Sequence, residues 1–171
     1  DLDKWDGIWV TNVANAKKYA LENNRPLFAV INAYNCTHCD NLKYNAWETS
    51  EFLKFASDNK IVLFKTTDQS LSLANHVVDK YASTCHYNSV SPHLFLFKVK
   101  DGANVTSTSD TALDPSQVDL VQVTWSTSEI PYCGKNFVAS TSIFGVRIGA
   151  ESSWSAPLVE NVIQKFFPNT G

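Results

Sequence analysis

The sequence predicts an α/β fold in which a central mixed β-sheet is flanked by helices in a three-layer sandwich. Residues 27–33 are almost continuously apolar, which is typical of a central strand covered on both faces. A second apolar run, residues 93–99, has the same character, and helical spacing of apolar residues separates the two runs. Strands separated by helices require right-handed parallel crossovers, whereas the later strands can pair as antiparallel hairpins.

The elements follow from local signals taken in chain order. Thr11 or Asn12 can cap a first helix, which Asn23 and Asn24 end ahead of a proline. After the central strand, residues 40–47 contain no Gly or Pro and can continue as a helix. The remaining predicted elements are a helix capped at 49–50, a strand over 61–65, a helix over 70–81, strands over 93–99, 118–125, 137–139 and 143–148, and a closing helix with Pro157 in its first turn.

Composition excludes several classes of function. The 171 residues carry a net charge of −3 without a basic run, which argues against nucleic acid and anionic membrane as partners. No apolar run approaches the roughly 20 residues of a membrane span. Met is absent, which indicates a processed chain or one domain of a longer polypeptide. The compartment is unknown, and we favour an extracytoplasmic location, periplasmic or secreted, over the cytoplasm.

Two cysteines occupy the position at which the central strand gives way to a helix. Cys36 and Cys39 follow the turn residues Tyr34 and Asn35. Exposed N–H groups at a helix start favour an anionic sulfur, so the pattern predicts a thiol–disulfide site. Cys36 is the expected nucleophile, and Cys39, one turn inward, would resolve the mixed disulfide. A structural disulfide without redox cycling and a metal-binding pair are the alternatives.

The other candidate residues are weaker signals. His38 lies between the cysteines, where an imidazolium would favour a thiolate; the alternative is an exposed, unengaged loop histidine. A bridge between Cys85 and Cys133 would close a loop of about 48 residues and contribute about 4 kcal/mol, and two free buried thiols are the alternative. Cys36, Cys39, Cys85 and His86 would be enough ligands for zinc, but we predict no metal because adjacent residues such as Cys85 and His86 rarely both turn towards one tetrahedral ion.

The sequence also resembles the thioredoxin-like superfamily, in the branch whose domain opens with a Trp-containing segment and a helix. The resemblance covers about residues 4–102. The matching segments are 16–18 with 24–28 for the entry into Cys-x-x-Cys, 52–53 with 60–62 for the second helix and strand, and 91–102 for the cis-proline strand and turn.

This resemblance implies a single domain over 1–171. Its core would comprise about 4–102 and 146–167, with an extended β-rich insertion over about 103–145 before the C-terminal helix.

The resemblance further implies that Pro92 is the cis-proline. It would lie beside the nucleophile and leave the Ser91 backbone free to pair with an extended substrate. Asn35 and Thr37 complete the candidate substrate-binding residues. Two positions depart from the family: Asn35 stands where Trp is usual, and Val30 stands where thioredoxins proper carry a buried acidic residue that helps to move protons.

Two functions remain in view. The first is a thiol–disulfide oxidoreductase-like domain that exchanges disulfides with protein substrates through Cys36 and Cys39 and needs no cofactor. The second is a non-catalytic thioredoxin-like module of a larger surface or virion-like protein, which recognises partners through its long C-terminal insertion. Expected partners are a protein thiol or disulfide substrate or redox partner, and further domains of a parent polypeptide.

Overall fold

The computed structural model describes residues 5–20, 22–67, 92–99, 119–122, 134–138, 143–148 and 155–166. Within these residues, seven strands form one sheet and helices pack against it. The elements in chain order are β1 (Trp9–Val10), α1 (Val13–Ala20), β2 (Leu27–Ile31), α2 (Thr37–Leu42), a π-helical segment (Lys43–Trp47), α3 (Ser50–Asp58), β3 (Val62–Thr66), β4 (His93–Val99), β5 (Asp119–Gln122), β6 (Gly134–Val138), β7 (Ile143–Ile148) and α4 (Ala156–Phe166).

The strand that leads into the two cysteines lies in the interior of the sheet, as predicted. Strand order is β1-β3-β2-β4-β7-β6-β5. β2 pairs in parallel with β3 and antiparallel with β4, and all five of its residues are buried. β2 has a neighbouring strand on each edge, and its side chains are buried on both faces. This position explains the uninterrupted apolar run.

The late strands pair antiparallel, also as predicted. β7 lies beside β4, β6 beside β7, and β5 at the edge. The division of the chain into a core and an insertion over 103–145 stays a prediction. The predicted helix over 70–81 and the predicted turn at 101–102 lie outside the described residues.

Local capping fixes where two of the helices begin. The Asn12 side-chain oxygen accepts a hydrogen bond from the Asn15 N–H at 2.9 Å, so Asn12 caps α1. The Thr49 hydroxyl accepts the Phe52 N–H at 3.1 Å and caps α3, as its sequence predicts. After α1, Asn24 adopts a φ of 56°, a left-handed conformation that Asn tolerates better than most residues.

An aromatic cluster joins the sheet to the π-helical segment and to α3, which follow the cysteines in the chain. Phe28 on β2 lies 5.7 Å from the Phe52 ring and 6.3 Å from the Trp47 ring, between ring centroids. All three side chains are fully buried, and tilted or edge-on rings at these separations attract one another. The core therefore holds both the strand before the cysteines and the helical segment after them.

Several boundaries differ from the sequence prediction. The strand predicted over 118–125 is observed as Asp119–Gln122, and the one predicted over 137–139 is observed as Gly134–Val138. The strand predicted over 27–33 ends at Ile31, and Trp9 and Val10 form an additional strand, β1, beside β3. The helix predicted to continue through Trp47 changes to π-helical geometry at Lys43, where the Glu48 N–H donates to the Lys43 carbonyl at 2.9 Å. A π-helical turn contains one extra residue, which apolar spacing alone does not reveal.

Candidate functional site

The site is built around a disulfide between Cys36 and Cys39. Cys36 is the N-cap residue of α2, and its sulfur accepts a hydrogen bond from the Cys39 N–H at 3.0 Å. The two Cα atoms lie 5.2 Å apart, within the ordinary range for a disulfide. Asn35, immediately before, adopts a φ of 54° and turns the chain from the end of β2 into the helix.

The two sulfurs differ in their access to solvent. Cys36 is partly exposed, whereas Cys39 is only 4% exposed. Tyr34 and Thr37, on either side of Cys36, are both exposed, and Tyr34 reaches 81%. A disulfide partner can therefore reach the outer sulfur, while the inner one is shielded.

His38 lies in the first turn of α2 between the cysteines. It is half-buried, and its Nε2 atom is buried without a hydrogen-bond partner within the described part of the chain. His38 is therefore only partly exposed and has no hydrogen bond at Nε2 among the described residues. Its electrostatic role towards the sulfurs stays a prediction.

A polar cavity of about 430 Å³ adjoins the inner cysteine. Its lining includes Cys39, Asp40, Lys43, Glu48 and Lys65, together with residues at the ends of β2 and β3. Among its lining residues, the Lys65 ammonium lies 3.3 Å from a Glu48 carboxylate oxygen, and both side chains are partly buried.

Sequence reasoning missed this ion pair. Its two residues are 17 positions apart on different elements. The one available signal was a Lys at the end of an otherwise apolar strand.

A family model described as Thioredoxin-like matches residues 8–98, which is more than half of the 171 residues. The chain belongs to the thioredoxin-like family. The matched range contains both bonded cysteines and Pro92, so family membership confirms the fold predicted from the sequence. Neither the curated proteins nor the solved structures include a match to the chain.

The thioredoxin-like domain brings Pro92 to the end of the sheet at which the disulfide lies. Ile31, the last residue of β2, pairs with His93, the first residue of β4. The buried Pro92 directly precedes His93 and therefore lies at the same end of the sheet as the residues that lead into the disulfide. The cis form of its peptide bond stays a prediction. Ser91, Cys85 and Cys133 lie outside the described residues, so the second disulfide also stays a prediction.

The described part of the thioredoxin-like domain contains neither a metal-binding cluster nor a membrane-spanning helix. Among the residues that the structure describes, no cluster of three or more His, Cys, Asp or Glu side chains could hold a metal ion. Over the same residues, no helix has the length and apolar character needed to cross a bilayer.

Val30, where thioredoxins proper carry an acid, is fully buried in the core cluster.

Proposed function

We propose that this thioredoxin-like domain is a thiol–disulfide oxidoreductase that exchanges disulfides with protein substrates through Cys36 and Cys39. The observation that carries the proposal is the placement of the bonded pair, with a partly exposed Cys36 at the start of α2 and a shielded Cys39 one turn later. An accessible first sulfur can meet a substrate disulfide, and a second sulfur bonded to it in the oxidised protein is close enough to resolve the mixed disulfide.

The exchange would proceed in two displacements. In the reduced protein, the Cys36 thiolate attacks a substrate disulfide, forms a mixed disulfide and releases one substrate sulfur. Cys39 then attacks the Cys36 sulfur, which forms the internal disulfide and releases the second substrate sulfur. The backbone N–H that points at the Cys36 sulfur, at 3.0 Å, supports negative charge on it. The oxidised protein would run the same steps in reverse.

The surface around Cys36 suits a polypeptide substrate. Asn35 and Thr37 are exposed beside the sulfur, and Pro92 lies at the same end of the sheet. We propose that these residues and Ser91 contact the substrate backbone. We also propose an extracytoplasmic location, because protein disulfides persist mainly in oxidising compartments.

Reduction of insulin by dithiothreitol tests the proposal. The parent protein should accelerate the reaction, and Cys36→Ser should reduce the rate to that without protein. Cys39→Ser should instead accumulate a mixed disulfide with the substrate, detectable by mass spectrometry. Equal rates for the parent and Cys36→Ser would contradict the proposal.

A redox titration of the Cys36–Cys39 pair provides a second test. A potential above about −300 mV is expected of an exchangeable pair. A lower potential would indicate an inert structural bond and favour the non-catalytic module of a larger protein.

A further inference from the structure

The turn that leads into the disulfide also contains a signal for covalent modification. Asn35, Cys36 and Thr37 form the triplet Asn-x-Thr with a residue other than proline in the middle. This triplet is the acceptor signal for N-linked glycosylation in secreted proteins. Because so short a triplet also arises by chance, its value depends on where the structure places it.

The structure places the acceptor side chain on the surface. Asn35 is exposed, and its side chain has no partner among the residues that the structure describes. With a φ of 54°, it lies in the turn between β2 and α2, and Thr37, also exposed, is the first residue of α2. A sugar on the Asn35 amide therefore breaks no buried contact, which is what an acceptor in a surface turn requires.

A second asparagine shows that exposure alone does not supply the signal. Asn45, on the π-helical segment, is exposed as well, but the residue two positions later is the buried Trp47 rather than Ser or Thr. The other triplet of this kind in the sequence, Asn104-Val105-Thr106, lies outside the described residues. Within the described part of the chain, the signal and the exposure coincide at Asn35 alone.

We propose that Asn35 carries an N-linked glycan that restricts the access of protein disulfides to Cys36. The attachment requires the extracytoplasmic location proposed above, and the effect on exchange rests on the proposed function. The donor is an oligosaccharide linked to an isoprenoid diphosphate, supplied with its transferase by the secretory membrane. The Asn35 amide nitrogen bonds to the anomeric carbon of the sugar, and the bond between that carbon and the diphosphate oxygen breaks. The amide loses one proton and the isoprenoid diphosphate leaves, without oxidation or reduction.

A glycan at this position should discriminate between disulfides by size. Adjacent Cα atoms are about 3.8 Å apart, so the sugar begins beside the residue that carries the outer sulfur. A protein substrate must bring its backbone against the turn that holds Cys36, whereas a small disulfide needs only the partly exposed sulfur. A glycan is bulky and hydrated, so it should exclude the protein far more than the small molecule.

Secretion of the full chain from eukaryotic cells tests the acceptor. An Asn104→Gln background removes the second triplet, and peptide mass spectrometry should then find a glycan on Asn35. Thr37→Ala should abolish this glycan, whereas Thr37→Ser should retain it, because serine also completes the signal. Asn45 should stay unmodified. Secreted protein in which Asn35 is unmodified, or a glycan that persists in Thr37→Ala, would overturn the proposal.

Insulin and hydroxyethyl disulfide then test the effect on exchange. The comparison is between the secreted Asn104→Gln protein and the same chain made in the bacterial cytoplasm without a glycan. The glycosylated form should have a kcat/KM for insulin about tenfold lower, the low end of the range over which changes at one interface alter association rates. Its rate with hydroxyethyl disulfide should be unchanged.

The remaining outcomes separate this inference from the proposed function. Equal insulin kinetics for the two forms would overturn the restriction of access. An equal loss with both substrates would also overturn it, because the glycan would then act on the disulfide itself. Absence of insulin exchange by the form without a glycan would overturn the proposed function instead, and the peptide analysis would still decide whether Asn35 is an acceptor.

Discussion

The start of α2, where the disulfide lies, and the contact between α3 and α4 are two regions of opposite character. At the disulfide end, Tyr34 is exposed, Cys36 is partly exposed and a polar cavity reaches the inner sulfur. Where α3 and α4 meet, Phe52 of α3 and Ile163 of α4 are fully buried in the apolar core. The partly exposed sulfur and the apolar core that stabilises the fold therefore lie in different regions of the molecule.

Two glutamates make the same comparison within one residue type. The Glu48 carboxylate lies 3.3 Å from the Lys65 ammonium in the lining of the cavity. Glu160 on α4 instead faces Glu51 on α3, and burial, followed by a hydrogen bond and repulsion from Glu51, raises its pKa to about 7. The two carboxylates therefore have opposite neighbours: Glu48 lies beside a cation, whereas Glu160 lies beside a second carboxylate that disfavours its ionisation.

The largest expected change in stability comes from a substitution in the apolar core. Trp47→Ala should lower the free energy of unfolding by about 3–5 kcal/mol, because it leaves a large cavity beneath β2. Denaturant unfolding of the oxidised protein measures it, and Trp47→Phe, which keeps a ring against Phe28, should lose less. A loss under about 1 kcal/mol for Trp47→Ala would contradict the assignment of stability to the apolar core.

Much of this frame could be predicted from local sequence. Apolar runs indicated β2 and β4, and the hydroxyl of Thr49 indicated the start of α3, since a cap acts within three residues. The Cys36–Cys39 pair was evident because its two members are one helical turn apart. These features depend on neighbours along the chain, so spacing alone identifies them.

The remaining features depend on residues that only folding brings together. The ion pair of Glu48 and Lys65 joins the end of a π-helical segment to a strand, and the cavity beside it is formed by the ends of β2 and β3. The raised pKa of Glu160 depends on a carboxylate from another helix. The π-helical turn itself has no signature in apolar spacing, so the position of Glu48 could not be anticipated.

The helix contact should make stability depend on pH in an unusual direction. Because the folded pKa of Glu160 is raised from 4.5 to about 7, the folded state binds this proton more tightly than the unfolded state. Its contribution is fully present below about pH 4.5 and is lost as the pH rises to about 7. The expected loss is roughly 1–2 kcal/mol, reduced from the full shift by solvent screening.

Glu160→Gln should remove this pH dependence, measured as the difference in unfolding free energy between pH 5 and pH 8 against the parent. Lys54→Gln, on the exposed side of α3, serves as a control that should leave the difference unchanged. An equal pH dependence in parent and Glu160→Gln would mean that the two carboxylates do not oppose each other in solution.

A smaller effect is expected where the two regions meet. Thr49 caps α3 directly after the π-helical segment, and its hydroxyl also donates to the Ala46 carbonyl at 2.9 Å. Thr49→Ala should lower the free energy of unfolding by about 1 kcal/mol, and Thr49→Ser should recover most of it. Denaturant unfolding distinguishes these outcomes, and equal stability of Thr49→Ala and the parent would show that the cap does not support the junction.

The smallest effect on stability is expected at the disulfide end. Tyr34 is 81% exposed, so Tyr34→Ala should change the free energy of unfolding by less than about 0.5 kcal/mol. If this ring contacts polypeptide substrates beside Cys36, the same change should raise the KM for insulin several-fold and leave exchange with a small disulfide such as hydroxyethyl disulfide unchanged. Tyr44→Ala removes another exposed ring, on the π-helical segment, and should alter neither. Equal insulin kinetics for the parent and Tyr34→Ala would limit the substrate surface to residues other than this ring, whereas a large loss of stability would show that the disulfide end shares the structural role of the core.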